Sequence, residues 1–253
     1  MRILVSGILG RMGRAVVDVA GEMGEFIVAG LDTKRTSIGE IPVYSDPEDL
    51  PTNVDIVIDF STPEGTYSIA EWCLENRKPL ISGTTGLDEE VMGKIRELAG
   101  IVPVFYSTNM SLGVALMGEF VKSAAKFFPD ADAEIVEIHH RRKVDAPSGT
   151  AKTFAQLILS ARGWDESALT YGRQGFTGER PKEQIGIHSV RAGSIVGEHQ
   201  ILFVMPEEEI ILIHRALDRK LFARGALTAA KWLLRKKAGL YSPGDIIKSK
   251  LEG

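Results

Sequence analysis

The densest group of reactive side chains in the sequence runs Glu137-Ile-His139-His140-Arg141-Arg142-Lys143-Val-Asp145-Ala-Pro147-Ser148-Gly149-Thr150, joining a strand-like segment to a helix-like one. Its two imidazoles can exchange protons near neutral pH, and the three cations beside them attract an anion. Ser148, Gly149 and Thr150 open the helix, where orphan N–H groups and two hydroxyls can hold a carboxylate while Lys143 adds a point charge. This set suits proton donation to an anionic substrate. The plainer reading is a solvated basic loop with a serine cap, and two adjacent histidines speak against it. A regular strand sends His139 and His140 to opposite faces, so the chain must bend there if both serve one site.

A second group opens the chain: Val5-Ser-Gly7-Ile-Leu-Gly10-Arg-Met-Gly13-Arg14, placed between the first strand and first helix. Glycines there let the backbone turn tightly against a pyrophosphate at a helix N-terminus. The spacing Gly7, Gly10, Gly13 puts the first glycine one place earlier than the common G-x-G-x-x-G, so its weight comes from context. Asp32 closes the second strand, where an acid can accept hydrogen bonds from an adenosine ribose. Gly83-Thr-Thr-Gly86 and Ser107-Thr-Asn-Met-Ser111 each follow a later strand. Alone, each reads as a turn with a cap; in succession after the glycine turn they suit a nicotinamide pocket.

Other residues invite chemistry and decline it. His188, His199 and His214 lie on late strand-like segments, but no cysteine and no His-x3-His pair supports a metal, and none is expected. Cys73, the only cysteine, has no base or cation beside it in sequence and reads as core packing. A single cysteine also excludes an intramolecular disulfide framework and fits a reducing cytoplasm.

The elements that must position these groups follow a βαβ rhythm. Apolar runs at Ile3–Val5, Phe26–Leu31, Val54–Phe60, Pro79–Ser82 and Val102–Tyr106 alternate with helix-like stretches at 12–23, 64–76 and 88–99. Strands buried on both faces belong in a parallel sheet. After Asn109 the rhythm changes: a long helix over 111–128, an alternating strand over 133–138, a helix over 150–162, and three strands at 185–191, 197–205 and 209–216 that read as antiparallel. A Gly-rich stretch over 163–186 is too long for an ordinary connection, which predicts a mobile, functional or subunit-bridging loop. A final helix is expected over 222–236. The expected class is α/β, a Rossmann-type doubly wound parallel sheet with a second α+β domain on a mixed, largely antiparallel sheet.

Composition agrees. The 253 residues allow one large or two modest domains, and 44% apolar with 25% charged content is that of a soluble globular protein. Thirty basic against 34 acidic residues give a net charge of −4, which argues against a nucleic-acid partner. No apolar run reaches the roughly 18 residues of a membrane span. The start, Met1 to Leu9, is interrupted by Gly7 and followed by Arg11 and Arg14, so it reads as a strand and not a signal peptide.

On these residues the chain resembles the 4-hydroxy-tetrahydrodipicolinate reductase (dihydrodipicolinate reductase) family of diaminopimelate and lysine synthesis. The likeness spans nearly the whole length. It rests most on 137–151, supported by the Gly7–Gly13 turn, Ile58-Asp-Phe-Ser61, Gly83–Gly86, and Arg191-Ala-Gly193 with Gly197-Glu-His199. The resemblance implies a dinucleotide domain over 1–108 completed by 217–253, and an inserted substrate and oligomerisation domain over 109–216, in a homotetramer. It implies NADH and/or NADPH as cofactor and a small dicarboxylate as substrate. Gly7, Ile8, Leu9, Gly10, Arg11 and Met12 would hold the pyrophosphate, and Asp32 with Thr33 the adenosine ribose. Lys34 and Arg35 are then placed to reach a 2'-phosphate. Gly83, Thr84 and Thr85 with Ser107, Thr108, Asn109 and Met110 would surround the nicotinamide, Met110 offering a thioether where relatives carry an aromatic ring. His139 and Lys143 would be catalytic, and His140, Gly149 and Thr150 would bind substrate carboxylates. A non-catalytic NAD(P) sensor shares the glycine turn but has no use for the 139–150 cluster. A semialdehyde dehydrogenase would need a thiol nucleophile beside a base, a role Cys73 does not suit.

Overall fold

The alternation of buried strands and amphipathic helices is realised in a computed structural model that describes residues 1–251. The first part of the chain forms β1 (Arg2–Ser6), α1 (Arg11–Glu22), β2 (Phe26–Leu31), β3 (Thr36–Ile38), β4 (Ile41–Tyr44), β5 (Ile56–Asp59), α2 (Pro63–Asn76), β6 (Leu80–Ser82), α3 (Glu89–Ala99) and β7 (Pro103–Tyr106). There follow α4 (Leu112–Phe127), β8 (Asp132–His139), α5 (Gly149–Arg162), β9 (Leu169–Tyr171), β10 (Ile185–Arg191), β11 (Gly197–Val204) and β12 (Glu209–Ala216). Last come α6 (Lys220–Leu233), β13 (Gly239–Tyr241) and α7 (Pro243–Leu251). Two compact units result: Met1–Leu112 with the segment from Arg219 onward, and Gly113–Asp218.

The first unit is a sheet in the order β13-β7-β6-β5-β1-β2-β4-β3, parallel throughout except for the β3–β4 hairpin. Ile3, Leu4 and Val5 are fully buried, each contributing about 1.5–3 kcal/mol by leaving water. Alternate strand residues feed two clusters. One joins Ile3 and Ile58 to Val16 and Val19 of α1 and Leu227 of α6, and the other joins Leu4 and Val57 to Trp72 and Cys73 of α2 and Ile95 of α3. Caps fix where helices begin: the Thr62 hydroxyl accepts from Gly65 N–H and the Asp88 carboxylate from Val91 N–H, at 3.2 and 3.0 Å. Burial holds the Cys73 thiol well above its usual range, in keeping with a packing role.

The second unit is a sheet in the order β12-β11-β8-β10-β9. Ala133, Ile135, Ile187, Ile201 and Phe203 share one core with Phe154 and Ile158 of α5 and Met117 and Val121 of α4. The strand residues alternating with these lie on the opposite face, where Val190, Ile211 and Ile213 are 41, 43 and 56% exposed.

Several expectations need correction. The strand at 185–191 is parallel to β8 and β9, because α5 carries the chain back to the starting end before β9 and the segment over 172–184 carries it back again before β10. Antiparallel pairing belongs to β11, with β8 on one side and β12 on the other. The stretch over 163–186 contains a 3-10 turn at Glu166–Ala168 and β9. What remains of it is fastened: the Arg173 and Arg180 guanidiniums both donate to Glu134, which also meets His188 Nε2 at 2.8 Å. These donors overcome the cost of burying the Glu134 carboxyl and hold its pKa down to about 2. β3, β4, β13 and α7 went unforeseen, and the helix expected over 222–236 is α6, starting at Lys220 and ending at Leu233.

Candidate active site

In the first unit the glycine turn is forced by contact. Gly7 has φ +75°, and a Cβ there would lie 2.5 Å from the Phe60 carbonyl oxygen; one on Gly13 would lie 2.2 Å from the Gly7 carbonyl oxygen. Gly10 caps α1 without a side-chain hydrogen bond, and no acid occupies the first turn, so the helix N-terminus stays electropositive. Asp32 ties the turn to the end of β2, its Oδ2 accepting from Leu9 N–H and its Oδ1 from Thr33 N–H, both at 2.8 Å. A cavity of about 620 Å³ opens here, lined by Gly7, Leu9, Gly10, Asp32, Thr33, Lys34, Phe60 and Ser61 among others.

The remaining expected residues fall into two kinds. Lys34 lines the cavity, whereas Arg35 pairs with Asp49 at 2.8 Å and lies over the Tyr44 ring. Arg11 and Thr85 are exposed, Met12 half-buried at the start of α1. Ile8 is fully buried beneath Gly30, so only its backbone faces the turn. Thr84 is buried, donating to Asp59 and accepting from Ser61 N–H, and Gly83 lies flat against the Phe60 ring. Ser107 closes a small turn, accepting from Asn109 N–H at 3.1 Å and donating to the Asn109 carbonyl at 2.7 Å; Thr108 beside it is exposed. Met110 departs from expectation. The residue is 3% exposed and packs in the core with α6, so its thioether is not offered to a ligand.

In the second unit β8 presents Glu137 and His139 on the same face, as residues two apart must be. Glu137 is fully buried, and three residues of the cluster meet it. His139 Nδ1 lies 2.5 Å from its Oε2, Ser148 N–H donates to Oε1 at 3.2 Å, and Arg191 donates to both oxygens at 2.9 and 2.7 Å. Arg191 also donates to the Asp145 carbonyl at 2.8 Å, anchoring the loop that carries Lys143. Burial works against this carboxylate, but the Arg191 donors prevail and hold its pKa down to about 2. Burial lowers the His139 pKa, opposed by Glu137 and assisted by the positive charges of Lys143 and Arg191.

The required bend is present. β8 ends at His139, and a turn follows in which Lys143 N–H donates to the His140 carbonyl at 3.0 Å. Lys143 Nζ donates to the Asp145 carboxylate at 2.8 Å and keeps it below its usual range. His140 is half-buried with Nδ1 unpartnered. Gly149 and Thr150 form the first turn of α5, capped by Ser148, whose Oγ accepts from Ala151 N–H at 3.2 Å and meets His199 Nε2 at 2.9 Å. His199 stacks edge-on to His139 with centroids 5.2 Å apart, and burial pushes its pKa down to about 4.

The structure thus brings His139, Lys143, Ser148, Gly149 and Thr150 into one neighbourhood and adds Glu137, Arg191 and His199, to which the sequence reading gave no site role. Their signal was available for Glu137, in the period-two spacing from His139. For Arg191 and His199 it required the strand order.

Two adjoining family descriptions cover the chain: "Dihydrodipicolinate reductase, N-terminus" matches residues 1–110, and "Dihydrodipicolinate reductase, C-terminus" matches residues 113–247. A 4-hydroxy-tetrahydrodipicolinate reductase of Caldanaerobacter subterraneus subsp. tengcongensis is 42% identical over 249 residues, covering 98% of each chain. The enzyme of that name from Lawsonia intracellularis is 42% identical over 258 residues, covering 98% of this chain and 99% of its own. Among solved structures, a dipicolinate-bound dihydrodipicolinate reductase from Paenisporosarcina sp. TG-14 superimposes with a TM-score of 0.81 at 29% identity, covering 97% of this chain and 99% of that one. With both halves matched and the glycine turn and the His139–Thr150 cluster in place, this chain belongs to the dihydrodipicolinate reductase family.

Proposed function

We propose that the chain reduces 4-hydroxy-tetrahydrodipicolinate, with loss of water, to tetrahydrodipicolinate in the route to diaminopimelate and lysine, using NADH or NADPH. The observation that carries this reading is the Glu137-bound His139 beside Lys143 and the N-terminus of α5, in a chain that matches the family along its length.

The first unit fits a dinucleotide, because the N-terminus of α1, free of a side-chain cap and of acids in its first turn, opens at Gly10 on the cavity that Gly7 and Asp32 also line. A bound nicotinamide would supply the hydride. Backbone groups from Gly7 to Met12 hold the pyrophosphate, Asp32 and Thr33 the ribose, and Gly83–Thr85 with Ser107–Met110 the nicotinamide end. With Nδ1 engaged by Glu137, His139 exchanges its proton at Nε2. Lys143 and the α5 N-terminus neutralise the dicarboxylate and make its ring a better hydride acceptor, while His140, Gly149 and Thr150 orient the carboxylates. The dipicolinate held by the Paenisporosarcina relative is a dicarboxylate that resembles the substrate ring.

The assay is nicotinamide oxidation followed optically, with the condensation product of pyruvate and aspartate semialdehyde as substrate. Consumption of either cofactor is expected, and oxidation of neither would overturn the reading. Dipicolinate should compete with this substrate, measurable by calorimetry.

We further infer a cytoplasmic homotetramer assembled through the open face of the second sheet, where Val190, Ile211 and Ile213 await cover. Sedimentation as a 27.6 kDa monomer would remove the tetramer and leave the active-site assignment standing.

A further inference from the structure

In the first sheet β1 lies between β5 and β2, so the connections leaving β1 and β5 diverge to opposite sides. The carboxyl ends of two such strands form the crevice where a doubly wound sheet takes its nucleotide. Asp59 ends β5 there, in register with Ser6, and it is fully buried. Its Oδ1 accepts from Ser61 N–H and Oγ at 3.2 and 2.5 Å, and its Oδ2 from the hydroxyls of Thr66, Ser82 and Thr84 at 2.7, 2.9 and 2.9 Å. Thr84 Oγ1 also accepts from Ser61 N–H at 3.1 Å and gives its proton to Asp59. One N–H and four hydroxyls, five donors in all, suit a carboxylate that carries its charge.

All five donors are neutral, and no cation pairs with Asp59 among the described residues. The cage satisfies the oxygens but does not cancel the charge, which still reaches the Cys73 thiol and helps push it up. Such a charge is costly to bury, and its field is weakly screened. The loops it hooks, Phe60–Thr62 and Gly83–Thr85, are those assigned above to the cofactor crevice and the nicotinamide. The oxidised nicotinamide ring is a cation and the reduced ring is neutral, so a fixed negative charge beneath them discriminates between the two.

We propose that the buried charge of Asp59 at the carboxyl end of β5 favours the oxidised, cationic form of the bound nicotinamide over the reduced form, and so assists hydride release. The inference rests on the cofactor reading given above. The test is calorimetric titration of the full chain with NAD+ and, separately, NADH, comparing wild type with Asp59→Asn. The variant should weaken NAD+ about tenfold more than NADH, changing the ratio of the two Kd values by that factor. If both Kd values change equally, or neither changes, Asp59 only shapes the loops and the proposal fails.

Should Asp59→Asn not fold, as judged by circular dichroism, Thr66→Val carries the test. It is close to isosteric, lies on α2, and strips one donor from Oδ2 while leaving the charge. The ratio should then move about twofold toward NAD+, and no movement or the opposite one overturns the proposal. Wild-type protein that binds neither cofactor form would overturn the cofactor reading and this inference together.

Discussion

Arg191 lies directly across from His139 in the parallel pairing of β10 with β8, and its guanidinium closes on Glu137, the carboxylate that holds the His139 ring. The imidazole is therefore positioned by two residues from two strands, and its charge state depends on both.

Glu137→Gln should show this in a pH profile. Burial lowers the His139 pKa and the Glu137 charge opposes it, so removing that charge lets the imidazole lose its proton at lower pH. If His139 acts as the acid, the alkaline limb of kcat moves downward, and kcat at its optimum falls about tenfold. An unmoved limb would show that His139 is not the titrating acid.

His139→Ala and Lys143→Ala should each lower turnover by about two orders of magnitude while leaving NADH affinity within about twofold. The two residues belong to the second unit and the glycine turn to the first, so the readouts separate. Equal loss of cofactor binding in both variants would instead indicate a folding defect.

Cofactor preference should turn on Lys34. Arg35 is committed to Asp49, whereas Lys34 lines the cavity beside Asp32, whose carboxylate repels a 2'-phosphate. The expected preference lies within about tenfold, roughly 1.4 kcal/mol. Lys34→Ala should lower kcat/KM with NADPH about tenfold and spare NADH, and Arg35→Ala should change little. The reverse pattern would mean that Arg35 leaves Asp49 to reach the phosphate.

Acid should destabilise the protein in two stages. His199 has a folded-state pKa pushed down to about 4 from 6.5, so the unfolded chain takes up its proton first and stability falls as pH drops through that window. Glu134 and Glu137 have folded pKa values of about 2 against 4.5, so the stability they contribute is present above the higher value and lost as pH falls toward the lower. Each is worth on the order of 3 kcal/mol. Thermal melts should show both stages, and His199→Gln should shrink the first, leaving what burial of His139 and His214 contributes.

Gly186→Ala should release the segment over 172–184. A Cβ at that position would fall 1.8 Å from Glu134 Oε2, in the place where Arg173, Arg180 and His188 converge. A cost of about 2 kcal/mol in stability and faster proteolytic cleavage near Phe176 are expected. Undiminished protease resistance would mean that other contacts hold the loop.

Much of this was legible in the sequence because period and punctuation are local. The βαβ rhythm announced a parallel sheet, and Gly7, Gly10 and Gly13 sit where the first strand meets its helix. The orientation of β10 was not legible, since an apolar run does not state which way its partner runs. The short strands β3, β9 and β13 offered too few residues to establish a period. Met110 looked like a loop residue, and only the approach of Gly225, where a Cβ would lie 1.8 Å from the Met110 carbonyl oxygen, reveals how closely α6 packs there. Glu137 was quoted within a motif but given no role, because strand alternation shows a shared face and not the arginine that arrives from another strand.

The return of the chain at Arg219 also sets an order of assembly during translation. Ala223, Ala226, Leu227, Ala230 and Leu233 of α6 cover one face of a sheet whose first strand begins at Arg2. That face keeps only its α1 cover on the ribosome until α6 has been made, whereas the inserted unit is complete at Asp218 and free to fold earlier. The unit that holds the glycine turn is begun before the inserted one and completed after it.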